Sequence, residues 1–252
     1  WWMESTATWM EDEVYDDNND CRWILYDFQG QPEWSVDRDD GYETWYMYGA
    51  MLYLRYVRDR FFEGDGRWIS RMWEGMRSPF DDNEPDVVDS LDALLAPHGV
   101  SYADTVIEFA RWRWYVGPND DGRHLEEAGD FHDDSSPRVA ATLTSAGGQA
   151  QVRPMMLGTS YVDLTGDEGD EVTVSLTTNA SDAIAYVVQA VPGLDGDDGE
   201  VLTLPAVVRL GAAGRTLIVT VLPALPGNED VLDPDERTDT RYPATIQVSP
   251  AP

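Results

Sequence analysis

The chain contains no lysine: all 17 of its basic residues are arginine, set against 48 Asp and Glu, and the formal net charge is -31. A surface of that sign repels nucleic acid and anionic membranes, so neither is expected as a partner. There is one cysteine, Cys21, which excludes an intrachain disulfide and a thiolate metal cluster. No apolar run approaches the roughly 20 residues of a membrane span. Histidine is scarce too, with only His98, His124 and His132. No H-E-x-x-H, no G-x-S-x-G and no Gly-rich phosphate loop occurs, so the common zinc, serine-hydrolase and nucleotide motifs are missing.

What is present falls into two stretches with different periods. Up to about residue 135 the apolar pattern is helical. In "WWMESTATWMEDEVYDD", Met3, Ala7, Met10 and Val14 fall on one stripe, and the segment reads as the middle of a buried helix. Such an opening leads to the expectation that further chain precedes Trp1, where any signal peptide would also lie. The stretch from Tyr42 to Phe62 is apolar nearly all round at first, then amphipathic where Arg55, Arg58 and Arg60 enter, and predicts one buried helix. Shorter helices are expected in "GRWISRMWEGMR", "DVVDSLDALLAPHG" and "SYADTVIEFARWRWYVG", the last two parted by a turn with Gly99 as helix end and Ser101 as N-cap.

Beyond "DDSSPR" the period changes from 3.6 to 2 and aromatics nearly vanish. Strands are predicted in "RVAATLTS", "GQAQVRPM", "TSYVDLT", "EVTVSLTT", "AIAYVVQAV", "VLTLPAVVRL", "RTLIVTVLPA" and "ATIQVSP", separated by turn clusters. The expected fold class is therefore α+β as two domains. An all-α domain covers residues 1–135, and an all-β sandwich of immunoglobulin or fibronectin type covers residues 136–252.

The chemistry centres on Glu4, a carboxylate among Trp1, Trp2, Met3, Ala7, Trp9 and Met10. One reading places it near a helix start, where the macrodipole favours it. The other notes that "W-W-M-E-S-T-A-T-W" resembles the W-x-x-E-G-x-A-x-W/Y segment of gluzincin metallopeptidases, with Ser5 in place of Gly. "Y-M-Y-G-A" likewise resembles the Y-x-x-G-A motif of that family, which puts Tyr46, Gly49 and Ala50 on it. Large secreted metalloproteases of myxobacterial type, with β-sandwich tails, are similar in layout.

That resemblance implies that residues 1–135 are the lower half of a zincin catalytic domain. Glu4 would be a ligand of Zn2+, and Tyr46 would donate to the tetrahedral intermediate, with Tyr48 as its alternative because the spacing from Glu4 is short. Zinc of this kind takes two imidazoles and a carboxylate and keeps a fourth position for water. The imidazoles and the base would lie upstream of Trp1, so the chain by itself is expected to be an inactive fragment of a zinc metallopeptidase. The resemblance further implies a peptide or protein substrate, the missing N-terminal half of the domain as partner, and a secreted or cell-surface location.

Other sites are weaker on spacing. "HLEEAGDFH" offers His124, Glu126, Glu127 and His132, but its histidines are too far apart for a helical metal pair, and an exposed polar segment is expected. His98 is expected in a solvated turn. The loops "DGDDGE" and "TGDEGDE" are rich in oxygen ligands for Ca2+ yet lack the spacing of an EF-hand. The alternative function, of a different class, is a non-catalytic extracellular binding or structural protein with the β-sandwich as adhesion module.

Overall fold

A computed structural model of the chain describes residues 1–15, 23–39, 43–78, 84–131, 135–193, 198–224 and 239–252. Cys21, Tyr42, His132 and Asp195–Asp197 of the acidic loop lie outside the described residues. The chain divides into two compact units. The first comprises Trp1–Gln31, Val36–Ser136 and Asn228–Arg237, the second Pro32–Ser35, Pro137–Gly227 and Thr238–Pro252.

Among the described residues, the first unit contains helices and no strand. Its helices are α1 (Trp2–Val14), α2 (Leu25–Gly30), α3 (Tyr46–Gly49), α4 (Met51–Phe61), α5 (Trp68–Gly75), α6 (Val87–Leu95) and α7 (Tyr102–Trp114). Helices α6 and α7 start at reciprocal capping boxes, Asp86 with Asp89 and Ser101 with Asp104, so the orphan amides of the first turn are satisfied. Gly99, at φ 75°, takes the left-handed turn between them.

Helix α4 is the axis of this unit. Leu52, Tyr53, Leu54, Tyr56 and Val57 are all fully buried. A buried phenol needs a hydrogen-bond partner. The Tyr53 hydroxyl pairs with that of Thr105 at 2.8 Å, and Tyr56 donates to Glu108 at 3.1 Å. Burial pushes both phenols well above their ordinary pKa. The expected single helix over 42–62 is broken at Ala50, so α3 and α4 are separate. Gly49 shows why the break sits there. Helix α2 crosses so closely that a Cβ on Gly49 would lie 2.4 Å from Phe28 Cβ.

The position of α1 corrects the sequence reading more deeply. The stripe Met3, Ala7, Met10, Val14 faces outward, with Met3 at 67% and Val14 at 61% exposure. The inward face is instead Trp2, Ser5, Trp9 and Asp12. Trp2 and Trp9 are at 6% and 1%.

The second unit is a two-sheet sandwich. Its strands are β1 (Val139–Thr144), β2 (Gly148–Val152), β3 (Thr159–Thr165), β4 (Glu171–Thr178), β5 (Ile184–Val191), β6 (Glu200–Leu202), β7 (Ala206–Arg209), β8 (Arg215–Pro223) and β9 (Ala244–Pro250). They form a five-stranded sheet in the order β1-β3-β8-β5-β6 and a four-stranded sheet in the order β2-β9-β4-β7. The segment "VLTLPAVVRL", expected as one strand, is two: β6 and β7 belong to different sheets, with Pro205 between them, where no amide can join a ladder. Val162, Leu164, Val174, Val188, Leu217, Val219 and Ile246 are among the side chains that fill the space between the sheets.

The fold expectation of a zincin half followed by an immunoglobulin-type sandwich is corrected here. In a seven-stranded immunoglobulin domain, with strands A, B, E and D in one sheet and C, F and G in the other, consecutive pairs such as A–B, D–E and F–G stay within a sheet. Here β1 to β5 change sheet at every step, and β1 runs parallel to β3. The period-2 pattern fixes which side chains face inward but does not choose among sandwich topologies. Four residues of the N-terminal stretch also belong with the strands. Met155 N–H donates to the Glu33 carbonyl and Thr159 N–H to that of Pro32, each at 2.8 Å. No helix among the described residues is long and apolar enough to cross a membrane.

The Gly49 contact yields a prediction. Gly49→Ala places a methyl group against Phe28 and the Ile24 carbonyl. Urea unfolding should show a loss of about 1–3 kcal/mol, the usual range for overpacking. The gain in helix propensity from Gly to Ala, about 1 kcal/mol, would dominate only if the site were roomy.

Candidate functional site

Glu4 is half-buried in the first turn of α1, and its carbonyl accepts from Thr8 Oγ1 at 3.0 Å. Tyr46 is fully buried at the start of α3, its ring 4.9 Å from that of Phe28 and its N–H donating to Thr44 Oγ1 at 3.0 Å. Tyr48 is half-buried, 5.1 Å from the ring of Trp45. The two helices meet where the Ser5 hydroxyl donates to the Met47 carbonyl at 2.7 Å. Ser5, the departure from the family pattern, is thus a tie between helices.

In "HLEEAGDFH", expected as an exposed polar segment, His124, Leu125, Ala128 and Phe131 are buried, while Glu126, Gly129 and Asp130 are exposed. His124 is 7% exposed, stacked on Tyr115 with centroids 4.0 Å apart, and its Nδ1 lies 2.8 Å from Asp121. Burial works to raise the Asp121 carboxyl, but hydrogen bonds from His124 and Arg123 outweigh it and hold the group below its usual value. Glu126 binds Arg58 at 2.9 Å, and Glu127 lies 3.4 Å from Arg55. His98 has its ring 5.5 Å from those of both Phe61 and Phe62. In "TGDEGDE" the turn closes on itself, Asp167 N–H donating to the Asp170 carboxylate at 3.0 Å. Among the described residues, Glu84, Asp86 and Asp89 are carboxylates whose oxygens lie within 4.8 Å of one another; Glu4 is not in that group.

The sequence reading overlooked a groove in the helical unit. Between α1 and α5 lies an open groove of about 970 Å³. Its walls are apolar: Met3, Ala7, Trp9 and Met10 from α1, Ile69 and Trp73 from α5. Met3, Met10 and Trp73 expose 67%, 45% and 38% of their surface. Gly66 lets the loop before α5 lie against the edge of Trp9, since a Cβ there would sit 2.9 Å from the indole. Glu13, Asp65 and Glu74 also line the groove. Glu13 is tied to Arg58, and the Ser70 hydroxyl donates to the Arg67 carbonyl at 2.9 Å. The signal available in the sequence was the Met3–Val14 stripe itself, read as core because the direction of the helix face is not written in its period.

Asp65 gives the rim a measurable marker. The Arg67 guanidinium and backbone N–H both donate to it, at 2.8 and 3.0 Å, and pull its carboxyl down to about 2. A depressed carboxylate favours the folded form above the unfolded value of 3.8, and that contribution disappears as pH falls through about 2. Carboxyl NMR titration should give a midpoint near 2 for Asp65, and Arg67→Ala should return it towards 3.8. A midpoint already near the ordinary value in the unaltered protein would contradict the pairing.

Comparison with known proteins returns no matching family model and no matching curated protein. Similar solved structures are periplasmic inhibitors of g-type lysozyme. The Aeromonas hydrophila PliG is 16% identical, with 43% of this chain and 95% of that chain covered and a TM-score of 0.29. The Salmonella Typhimurium PliG is 12% identical, with 43% and 96% covered and a TM-score of 0.28. A mutant of the Escherichia coli protein is 14% identical, with 44% and 100% covered and a TM-score of 0.28. No family model and no curated protein supports a metallopeptidase. The expectation of a gluzincin-type zinc metallopeptidase, a hydrolase with a peptide substrate and a missing catalytic half as partner, is corrected accordingly. Of the residues that carried the resemblance, Trp9 is buried, Trp1 and Glu4 are half-buried and Ala7 is exposed, while Ser5 and Gly49 sit at close helix contacts.

Proposed function

We propose that this chain is a non-catalytic binding protein, and that the groove between α1 and α5 takes the apolar face of an amphipathic helix with basic flanks from a protein partner. The outward-facing stripe of α1 carries this reading. A helix whose apolar residues point at solvent leaves surface that a monomer normally buries, and contiguous patches of that kind mark interaction sites. The occupant follows from charge. Glu13, Asp65 and Glu74 line the groove with Arg67 as the cation among them, and the chain carries a net -31. A partner with Arg or Lys beside its apolar anchors meets complementary potential. In place of the adhesion role expected of the sandwich, the helical unit is the binding element. The reading includes a location outside the cytoplasm, the coarser form of the secreted or cell-surface expectation.

Two synthetic helices test the proposal by calorimetry, a Leu/Lys amphipathic peptide of about 20 residues and its Leu/Glu counterpart. The Leu/Lys peptide should bind saturably and weaken between 0.05 and 0.5 M salt, as screening requires. Trp73→Ala and Met10→Asp should each reduce affinity at least tenfold, the scale of a lost anchor. Equal binding of both peptides, or unchanged affinity in both variants, would overturn the reading.

A further inference from the structure

We infer that the second unit carries a binding site for a small multivalent oxyanion, of the phosphate or polycarboxylate kind, formed where Arg138, Arg153 and Arg241 line one pocket. The pocket has a volume of about 360 Å³, within the range of small-molecule sites. It is bounded by the N-terminal edge of β1, the end of β2 and the residues that lead into β9.

Three of the five arginines of this unit meet there, in a chain without lysine and with a large excess of carboxylates. The other two are placed differently. Arg215 binds Glu200 at 2.7 Å and the Ala190 carbonyl at 2.8 Å, while Arg209 pairs in register with Glu171 across β4 and β7. Like charges gathered on one pocket repel one another unless an anion lies between them.

Glu33 supplies part of that compensation. Its carboxylate binds Arg138 and lies 3.9 Å from Arg241, with 19% of the side chain exposed. Among the described lining residues one carboxylate faces three guanidinium groups, an excess of two positive charges. Arg153 meets only the Gln151 amide oxygen, at 3.3 Å, among the described residues, so its fork of donors is available.

The frame that holds these groups is rigid backbone. Arg241 Nη1 donates to the Arg153 carbonyl at 3.2 Å, and Tyr242 N–H donates to that of Pro154 at 2.8 Å. Met155 forms an isolated bridge with Arg241, and its N–H is bound to the Glu33 carbonyl. The arginine stems and the Glu33 side chain thus leave strand-like segments fixed to one another. Ser160, buried on β3, adds a hydroxyl to the lining. Planar guanidinium groups arriving from separate segments suit an anion with several oxygens, each able to accept a charge-assisted hydrogen bond. A monovalent halide satisfies neither the number of donors nor the charge.

The test is calorimetric titration of the full chain at low ionic strength with inorganic phosphate, citrate and chloride, and far-UV circular dichroism on each variant. Saturable one-to-one binding of phosphate or citrate, absent with chloride, is expected. The stronger of the two ligands identifies the source of the oxygens. Arg153→Gln and Arg241→Gln should each weaken it at least tenfold. Arg153 is exposed, so its variant should keep the fold. Glu33→Gln keeps the backbone carbonyl that anchors Met155 and removes the competing carboxylate, so it should tighten binding. Non-saturable heats, binding of chloride to the same extent, or full affinity in the Arg153 variant would overturn the site.

Discussion

Within the helical unit, the arrangement around the groove depends on one buried ion pair. Arg55 of α4 and Asp12 of α1 are 3% and 4% exposed and bound to each other. Moving either charge out of water costs several kcal/mol, and only close pairing with further hydrogen bonds offsets it. Those bonds are present: Arg55 also donates to the Glu126 carbonyl at 3.2 Å and faces Glu127. Burial still lowers the pKa of Arg55, with Glu127 working in the other direction. One helical turn further along, Arg58 repeats the pattern with Glu13, Asp59 and Glu126.

This pair fixes the rotation of α1 about its own axis. The helix carries two stripes that could face a core: Trp2, Ser5, Trp9 and Asp12, and about 150° away Met3, Ala7, Met10 and Val14. By hydrophobicity alone the second is the better core face, since it holds no ionisable group. Turning Asp12 outward, however, would strand Arg55 in the interior and break the tie from Ser5 to the Met47 carbonyl. The polar contacts therefore choose the tryptophan face, and the methionine stripe is left to line the groove. The binding surface is a by-product of satisfying a buried charge.

The two proposed sites differ in what forms them. The groove joins two helices whose own sequences suggest exposed apolar positions once their rotation is known. The arginine pocket gathers Glu33, Arg138, Arg153 and Arg241 from four places in the chain, so no local motif could announce it. The same distinction explains how a metallopeptidase pattern could be read into Trp1–Trp9. A buried tryptophan such as Trp9 and a small residue such as Ser5 at a close crossing are what a tightly packed helix needs whatever its function. Short motifs of that sort report packing as readily as chemistry.

The sequence by itself determined the change from helices to strands, because the periods 3.6 and 2 follow from the geometry of each backbone. It determined the capping of α6 and α7, where Asp86 and Ser101 are placed to bind the first amides. Tertiary structure alone decided the break at Ala50, through the close approach of Phe28 to Gly49, and the split at Pro205 into strands of different sheets. It alone placed Pro32–Ser35 with the strands. It alone decided which stripe of α1 is buried. The physical reason is common to all of these: periodicity states that a face exists, whereas the partner that face meets depends on residues far away in the chain, here Arg55 for Asp12 and Arg241 for Arg153.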